Sequence, residues 1–172
     1  MTAFGDAPFD SELVAALSAA FPAPSPIQAA AWPVALAGDD LIAVAKTGSG
    51  KTLGFLLPAF HAFRTNDDRG DGKGKGTAVR ALVLAPTREL ALQISGECDK
   101  FSGFVRGGCP SLCVYGGAPI AAQQKALANK QAGLPVVVIA TPGRLCDLLT
   151  RKSVDLSSVR YVVLDEVSHL VG

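Results

Sequence analysis

Charge is scarce in this 172-residue sequence. Charged residues make up 18% of it against 49% apolar, and the formal net charge is +1. The composition is globular, with a sparingly charged surface. A net charge this small excludes a broad basic field, so any nucleic acid must be held by a few placed groups. Cysteine is scarce too. Four occur, at 98, 109, 113 and 146, without a C-x-x-C pair and without partners at zinc spacing. They read as reduced, mostly structural thiols in a reducing compartment. No apolar run approaches the roughly 18 residues of a membrane span. The opening "MTAFGDAPFD" has no basic stretch followed by an apolar one, and it carries acids but no arginine. Neither a secretory signal nor a transit peptide is expected from that stretch. The expected location is intracellular, with cytoplasm and nucleus left open. No fixed-period repeat is present, and the length suits one domain.

What is there is an alternation. "SELVAALSAAF" has helical spacing at Leu13, Leu17 and Phe21, with Ser11 as the expected cap. "PAPSP" breaks the chain. "IQAAAWPVALAG" reads as a second helix closed by Gly38, with Pro33 as its kink or its start. "DLIAVA" reads as a strand, "KTGSGKT" as a turn and "LGFLLPAFHAF" as the helix leaving it. The polar, Gly-rich "RTNDDRGDGKGKGT", 64 to 77, reads as a surface loop within one domain. Strands are then expected at "RALVLAP", "SLCVYGG", "LPVVVIATP" and "VRYVVLDE". Helices are expected at "TRELALQISGECDKF" (capped by Thr87), "PIAAQQKALANK" and "GRLCDLLTRK". Continuously apolar strands alternating with helices predict a parallel sheet in an α/β fold. Ligands bind at the carboxyl ends of such strands, where "LIAVA", "LVLAP", "VVVIATP" and "VVLDE" all terminate.

Two constellations carry chemistry. In "AKTGSGKT", Gly50, Lys51 and Thr52 match the end of the phosphate-loop pattern, and Ala45 stands at its first glycine. Gly48 and Gly50 let successive N–H groups turn inward onto oxyanions, and the following helix adds its positive end. Lys51 suits the β- and γ-phosphates, and the Thr52 hydroxyl suits Mg²⁺. The second constellation is the adjacent pair Asp165 and Glu166, ending "YVVLDE". Mg²⁺ takes oxygen ligands, commonly one or two carboxylates plus phosphate oxygens. Asp165 is the expected Mg²⁺ acid, and Glu166 the group that orients or deprotonates the attacking water.

With these residues in order, the chain resembles the DEAD-box RNA helicases, over nearly its whole length. The resemblance is to their first RecA-like lobe. "FPAPSPIQ" looks like the Q motif, with Phe21, Pro24, Pro26 and Gln28 in place, and "AKTGSGKT" looks like motif I, including its leading Ala. "PTREL" (86 to 90) resembles motif Ia, Gly116 and Gly117 the glycine doublet, and "TPGRL" (141 to 145) motif Ib. The resemblance implies a P-loop NTPase fold of RecA type. It implies residues 1–37 as a Q-motif region and 38–172 as an ATP-binding domain, incomplete at its carboxyl end before motif III. It implies ATP held by Phe9 (stacked on adenine), Gln28, Ala45, Lys46, Thr47, Gly48, Ser49, Gly50, Lys51 and Thr52. Lys51, Asp165 and Glu166 would be catalytic, and Thr52 and Asp165 would hold Mg²⁺. Single-stranded RNA would be gripped by its backbone, without base readout, at Pro86, Thr87, Arg88, Gly116, Gly117, Thr141, Pro142, Gly143 and Arg144.

The pattern also breaks. Where the family has Asp-Glu-Ala-Asp, this chain has Asp165, Glu166, Val167 and Ser168. Both acids for Mg²⁺ and water are kept; the lost one serves coupling of ATP turnover to unwinding. Val167 in place of Ala is expected to overpack a tight site, at about 1–3 kcal/mol. The family's second lobe, with its γ-phosphate arginines, is not in this sequence. Such arginines are worth roughly 10³–10⁵ in rate in related phosphoryl-transfer sites. The chain by itself is therefore expected to be a very poor ATPase with an apolar sheet edge exposed. A non-catalytic ATP- and RNA-binding module and a DNA-directed P-loop ATPase are the competing readings.

Overall fold

A computed structural model describes residues 1–65, 79–104, 108–128 and 136–169. They form two compact units, Met1–Asn66 and Asp67–Gly172. The boundary between them falls within 64 to 77, the polar stretch expected to be a loop, most of which lies outside the described residues. In the first unit the helix before residue 38 and the helix after the glycine turn share one core.

The first unit holds α1 (Ser11–Ala20), α2 (Pro26–Ala37) and α3 (Lys51–Thr65). The cap of α1 is Asp10, one residue before the expected Ser11; its carboxylate accepts from the N–H groups of Glu12 and Leu13. Helix α2 opens with Ser25 and Gln28 bonded reciprocally as a capping box, and Pro26 sits at its first turn. Pro33 lies inside α2, and Gly38 ends it in the left-handed conformation at φ 87°. Trp32 is fully buried and donates its indole N–H to Leu53 O of α3 at 3.3 Å. That bond ties α2 to α3 and makes 1–65 one body.

The segment 40–45, expected to be a strand, has no regular structure and joins no ladder among the described residues. Ile42 is 95% and Val44 90% exposed. An apolar run becomes a strand only with a partner to satisfy its backbone. The described sheet lies wholly in the other unit, so the local pattern alone does not make it one.

The second unit holds β1 (Val79–Leu84), α4 (Arg88–Phe101), β2 (Ser111–Val114), α5 (Ile120–Ala128), β3 (Val136–Ala140), α6 (Pro142–Thr150) and β4 (Tyr161–Leu164). The strands lie in the order β2-β3-β1-β4, and every pairing is parallel. The crossovers through helices are what parallel pairing demands. Strand β3 is buried along its whole length, as a central strand covered on both faces should be. Leu127 of α5 and Leu145 and Leu148 of α6 pack in one cluster with Val136, Val138 and Ala140. Helix α4, outside that cluster, packs on β2 and β3. The sheet flanked by helices is the architecture expected from the sequence. Strand β4 departs from it: Tyr161 and Val163 are half-covered while Val162 and Leu164 are exposed. It is an edge strand among the described residues, and its apolar run is not doubly buried.

No helix of the described residues is long and apolar enough to cross a membrane. The cysteines are free thiols, with Cys98 and Cys109 buried. Burial pushes the Cys109 thiol up to about 12, so both read as structural.

Candidate functional site

In the amino-terminal unit the candidate residues converge on the turn before α3. Gly48 and Gly50 adopt φ 76° and 89°, a region other residues rarely enter. The Ser49 N–H closes a tight turn onto Lys46 O, and the Gly54 N–H bonds Gly50 O to start the helix. Lys51 folds back: its ammonium donates to Ala45 O at 2.6 Å and Lys46 O at 3.3 Å. It therefore lies against the loop whose phosphates it was expected to meet. The Ser49 hydroxyl is buried with no hydrogen-bond partner. A buried orphan hydroxyl is costly unless a ligand or solvent satisfies it. The bent glycine backbone, a cation held beside it, a helix N-terminus and this hydroxyl fit a phosphate group.

Gln28 is buried and both ends of its amide are engaged. Its Oε1 accepts from Ser25 N–H at 3.0 Å, and its Nε2 donates to Gly50 O at 3.0 Å. The amide thus braces the glycine loop through both of its ends. Phe9 does not stand free as an adenine platform. It is a core residue, edge-on to Trp32 at 5.1 Å and 6.1 Å from His61. Phe4 also packs on Trp32, at 6.1 Å. The attraction of three apolar rings for one another outweighs exposure of a single one. Trp32 and Ser25 organise the site and went unremarked in the sequence. The capping-box spacing from Ser25 to Gln28 was the signal for the latter.

In the carboxyl-terminal unit the strand ends are level. Val114 pairs with Ala140, Ala140 with Leu84, and Leu84 with Leu164. The next peptides extend the ladder: Thr141 N–H bonds Val114 O, Ala85 N–H bonds Ala140 O, and Asp165 N–H bonds Leu84 O. The glycine doublet, "TPGRL", "PTREL" and the acid pair therefore leave one sheet edge in that spatial order. This is what the sequence predicted for three of its four strand-end loops; the phosphate loop belongs to the other unit.

Asp165 is 8% exposed, and its Oδ1 accepts from the Glu166 N–H at 3.0 Å. Glu166 has φ 50°, unusual for a residue with a side chain. The His169 N–H returns to Glu166 O at 2.9 Å, and His169 Nδ1 lies 3.8 Å from Glu166 Oε2. A one-turn helix, Val167–His169, thus holds the strained acid. Val167 is exposed, so the expected overpacking does not arise among the described residues. Ser168 is exposed as well. A nearly buried carboxylate can serve Mg²⁺ as one oxygen ligand. No cluster of three or more His, Cys, Asp or Glu exists among the described residues.

The segments expected to grip RNA divide into two kinds. Thr87, Arg88, Gly116, Gly117 and Gly143 are exposed, and Pro86, Thr141 and Pro142 half-covered. Thr87 caps α4 through Leu90 N–H, whereas Thr141 makes no side-chain cap bond to α6. The Arg88 guanidinium lies 4.8 Å above the Tyr115 ring. Arg144 differs from the expectation of a free phosphate ligand. It is turned inward, and its Nη1 donates to Ala118 O at 3.0 Å and Gln123 Oε1 at 2.9 Å. Gln123 and Tyr115 were not singled out in the sequence. Gln123 stands on the apolar stripe of α5 with Ile120 and Leu127, and a polar residue in a core stripe is a readable signal.

Residues 25–172 match the model of the DEAD/DEAH box helicase family. The chain is 46% identical over 172 residues to "ATP-dependent RNA helicase-like protein DB10" of Nicotiana sylvestris, covering 99% of this chain and 26% of that protein. It is 50% identical over 157 residues to "DEAD-box ATP-dependent RNA helicase 40" of Arabidopsis thaliana, covering 90% and 13%. The chain thus spans about a quarter or less of the length of these relatives. A crystal structure of a DEAD box protein from the hyperthermophile Methanococcus jannaschii superposes with a TM-score of 0.79 at 28% identity, over 99% of this chain and 43% of that one. The family match extends over most of the chain, and the sheet has the fold of a solved member. The chain belongs to the DEAD/DEAH box helicase family.

Proposed function

We propose that this chain is the ATP-binding lobe of an ATP-dependent RNA helicase. In this reading ATP is bound at the loop Ala45–Thr52 with Gln28 beside it. Lys51 takes the phosphates, while Thr52 and Asp165 hold Mg²⁺. The metal supplies charge neutralisation at the phosphates when bound. Glu166 orients the attacking water, and its φ of 50° fixes its backbone for one direction. The backbone of single-stranded RNA runs past the glycine doublet, "TPGRL" and "PTREL". Turnover needs a second lobe.

The observation that carries the reading is the level sheet edge. It sets three segments with exposed residues and an acid pair side by side, in a chain of net charge +1. Backbone N–H groups hold phosphates without a basic field. The test is a titration of the chain with a fluorescent ADP in Mg²⁺, chased with ATP and with GTP. Displacement by ATP and not by GTP supports an adenine-selective site at Gln28. Equal displacement by both nucleotides removes Gln28 as the reader.

One observation favours a second reading, a non-catalytic ATP- and RNA-binding module. Ser168 replaces the family's second Asp and is exposed, without a side-chain bond among those described. The two readings part on turnover. RNA-stimulated ATP hydrolysis with a second lobe added in trans supports the helicase; ligand binding without it supports the module.

A further inference from the structure

The double glycine at 116 and 117 is closed into a hydrogen-bonded circuit through Gln123, a residue outside the motifs named above. Tyr115 precedes the doublet and Ala118 follows it. The Tyr115 carbonyl accepts from Gln123 Nε2 at 3.1 Å. The Ala118 carbonyl accepts from Arg144 Nη1 at 3.0 Å. Gln123 Oε1 then accepts from that same Nη1 at 2.9 Å. Both ends of the turn are thus clamped, and the two clamps are bonded to each other. Gln123 is 8% exposed, so its amide must find partners inside the protein. It spends one end on the glycine turn and the other on the "TPGRL" helix.

The third segment joins from above. Arg88 covers the Tyr115 ring, and its Nη1 would lie 3.9 Å from a Cβ placed on Gly117. Gly117 has φ 82° and the doublet is exposed. Two adjacent glycines hold no conformation of their own. Left unclamped, their N–H groups would have to be ordered by the ligand, at a cost in affinity.

We propose that Gln123 is a positioning residue for the nucleic-acid grip. It locks the Gly116–Gly117 turn to the "TPGRL" helix through Arg144, so that the segments meet a sugar-phosphate backbone as one rigid surface. Arg144 is the inner half of this lock and acts on the backbone through the turn. The inference rests on the reading that these segments bind single-stranded RNA.

The test uses the full chain and a fluorescein-labelled oligouridylate, followed by anisotropy at a series of KCl concentrations. Gln123→Leu removes both bonds and is expected to weaken binding about tenfold. Affinity should fall by the same factor at every salt concentration, because neutral N–H contacts and no cation are lost. A merely stabilising residue would shift the melting temperature but leave the affinity of the folded protein alone. Gln123→Leu and Arg144→Met should also be non-additive in binding, because each breaks the same circuit. Gln123→Glu keeps the acceptor for Arg144 and loses only the donor to Tyr115 O; about a threefold loss is expected. If Gln123→Leu fails to fold, this variant decides. Wild-type affinity in the folded variants overturns the inference while RNA binding stands. Absence of RNA binding in the wild-type chain overturns the reading beneath it, and the inference with it.

Discussion

Gly50 is where backbone and side-chain constraints meet most tightly in the amino-terminal unit. A Cβ there would lie 2.6 Å from Gln28 Nε2 and 2.9 Å from Ser25 Oγ, at a φ of 89°. Gln28 cannot swing away without giving up its bonds to Gly50 O and Ser25 N–H. Gly50→Ala is expected to destabilise the chain by about 1–3 kcal/mol. A thermal melt should show it as about 2–4 °C per kcal/mol, with nucleotide affinity falling in parallel. An unchanged melt would show that the Gln28 brace is dispensable. His61 makes a second claim at this scale. Burial lowers its pKa below the ordinary 6.5. As pH falls through 6.5 the unfolded chain takes up a proton that the folded chain still refuses. Stability therefore drops with acidification from about 6.5 downward, until the folded imidazole also protonates. Melting temperatures between pH 7.5 and 5.5 should fall in the wild type, and fall less in His61→Asn. Equal slopes in the two proteins would refute this.

At the scale of elements, the expected strands of the sheet and the expected helices form, because each has a local pattern with a partner in the fold. Thr87 caps α4 as its spacing to Leu90 indicates. Asp10 takes the cap of α1 because a carboxylate one residue earlier reaches two N–H groups at once. The failure at 40–45 is of another kind. "DLIAVA" has the composition of a strand, but ladder partners are a tertiary property that no local window contains. Strand β4 shows the same limit, since its apolar run does not reveal that one face stays open. Val162 is 58% and Leu164 50% exposed on that face. An edge with unpaired backbone groups and apolar side chains recruits other chains. Val162→Lys is expected to raise the protein concentration at which the chain self-associates by about threefold or more. The melt should be nearly unchanged, since an exposed side chain is replaced. Sedimentation across a concentration series measures it; identical profiles for the two proteins would acquit the β4 edge.

At the scale of the molecule, the phosphate loop and the acid pair were both legible as motifs, and the units that carry them were not. Gly50, Lys51 and Thr52 belong to Met1–Asn66, and Asp165 and Glu166 to Asp67–Gly172. A motif names a residue's chemistry; which compact body holds it depends on packing such as Trp32 on Leu53, which pattern does not encode. The proposed function gives Asp165 a part in nucleotide binding through Mg²⁺, and that is a linkage measurable without turnover. If Mg²⁺ is shared between the nucleotide phosphates and Asp165, ATP affinity must rise with Mg²⁺ and Mg²⁺ affinity with ATP, by the same factor. Asp165→Asn keeps the size of the side chain and removes its charge. The variant should bind ATP in EDTA as the wild type does, and gain less when Mg²⁺ is added, with about tenfold of the enhancement lost. Lys51→Ala should weaken binding in both conditions, because its charge meets the phosphates whether or not the metal is present. An Asp165→Asn protein with the full Mg²⁺ enhancement would mean that Asp165 is no ligand of that metal. The acid pair would then need another role than the one its sequence suggests.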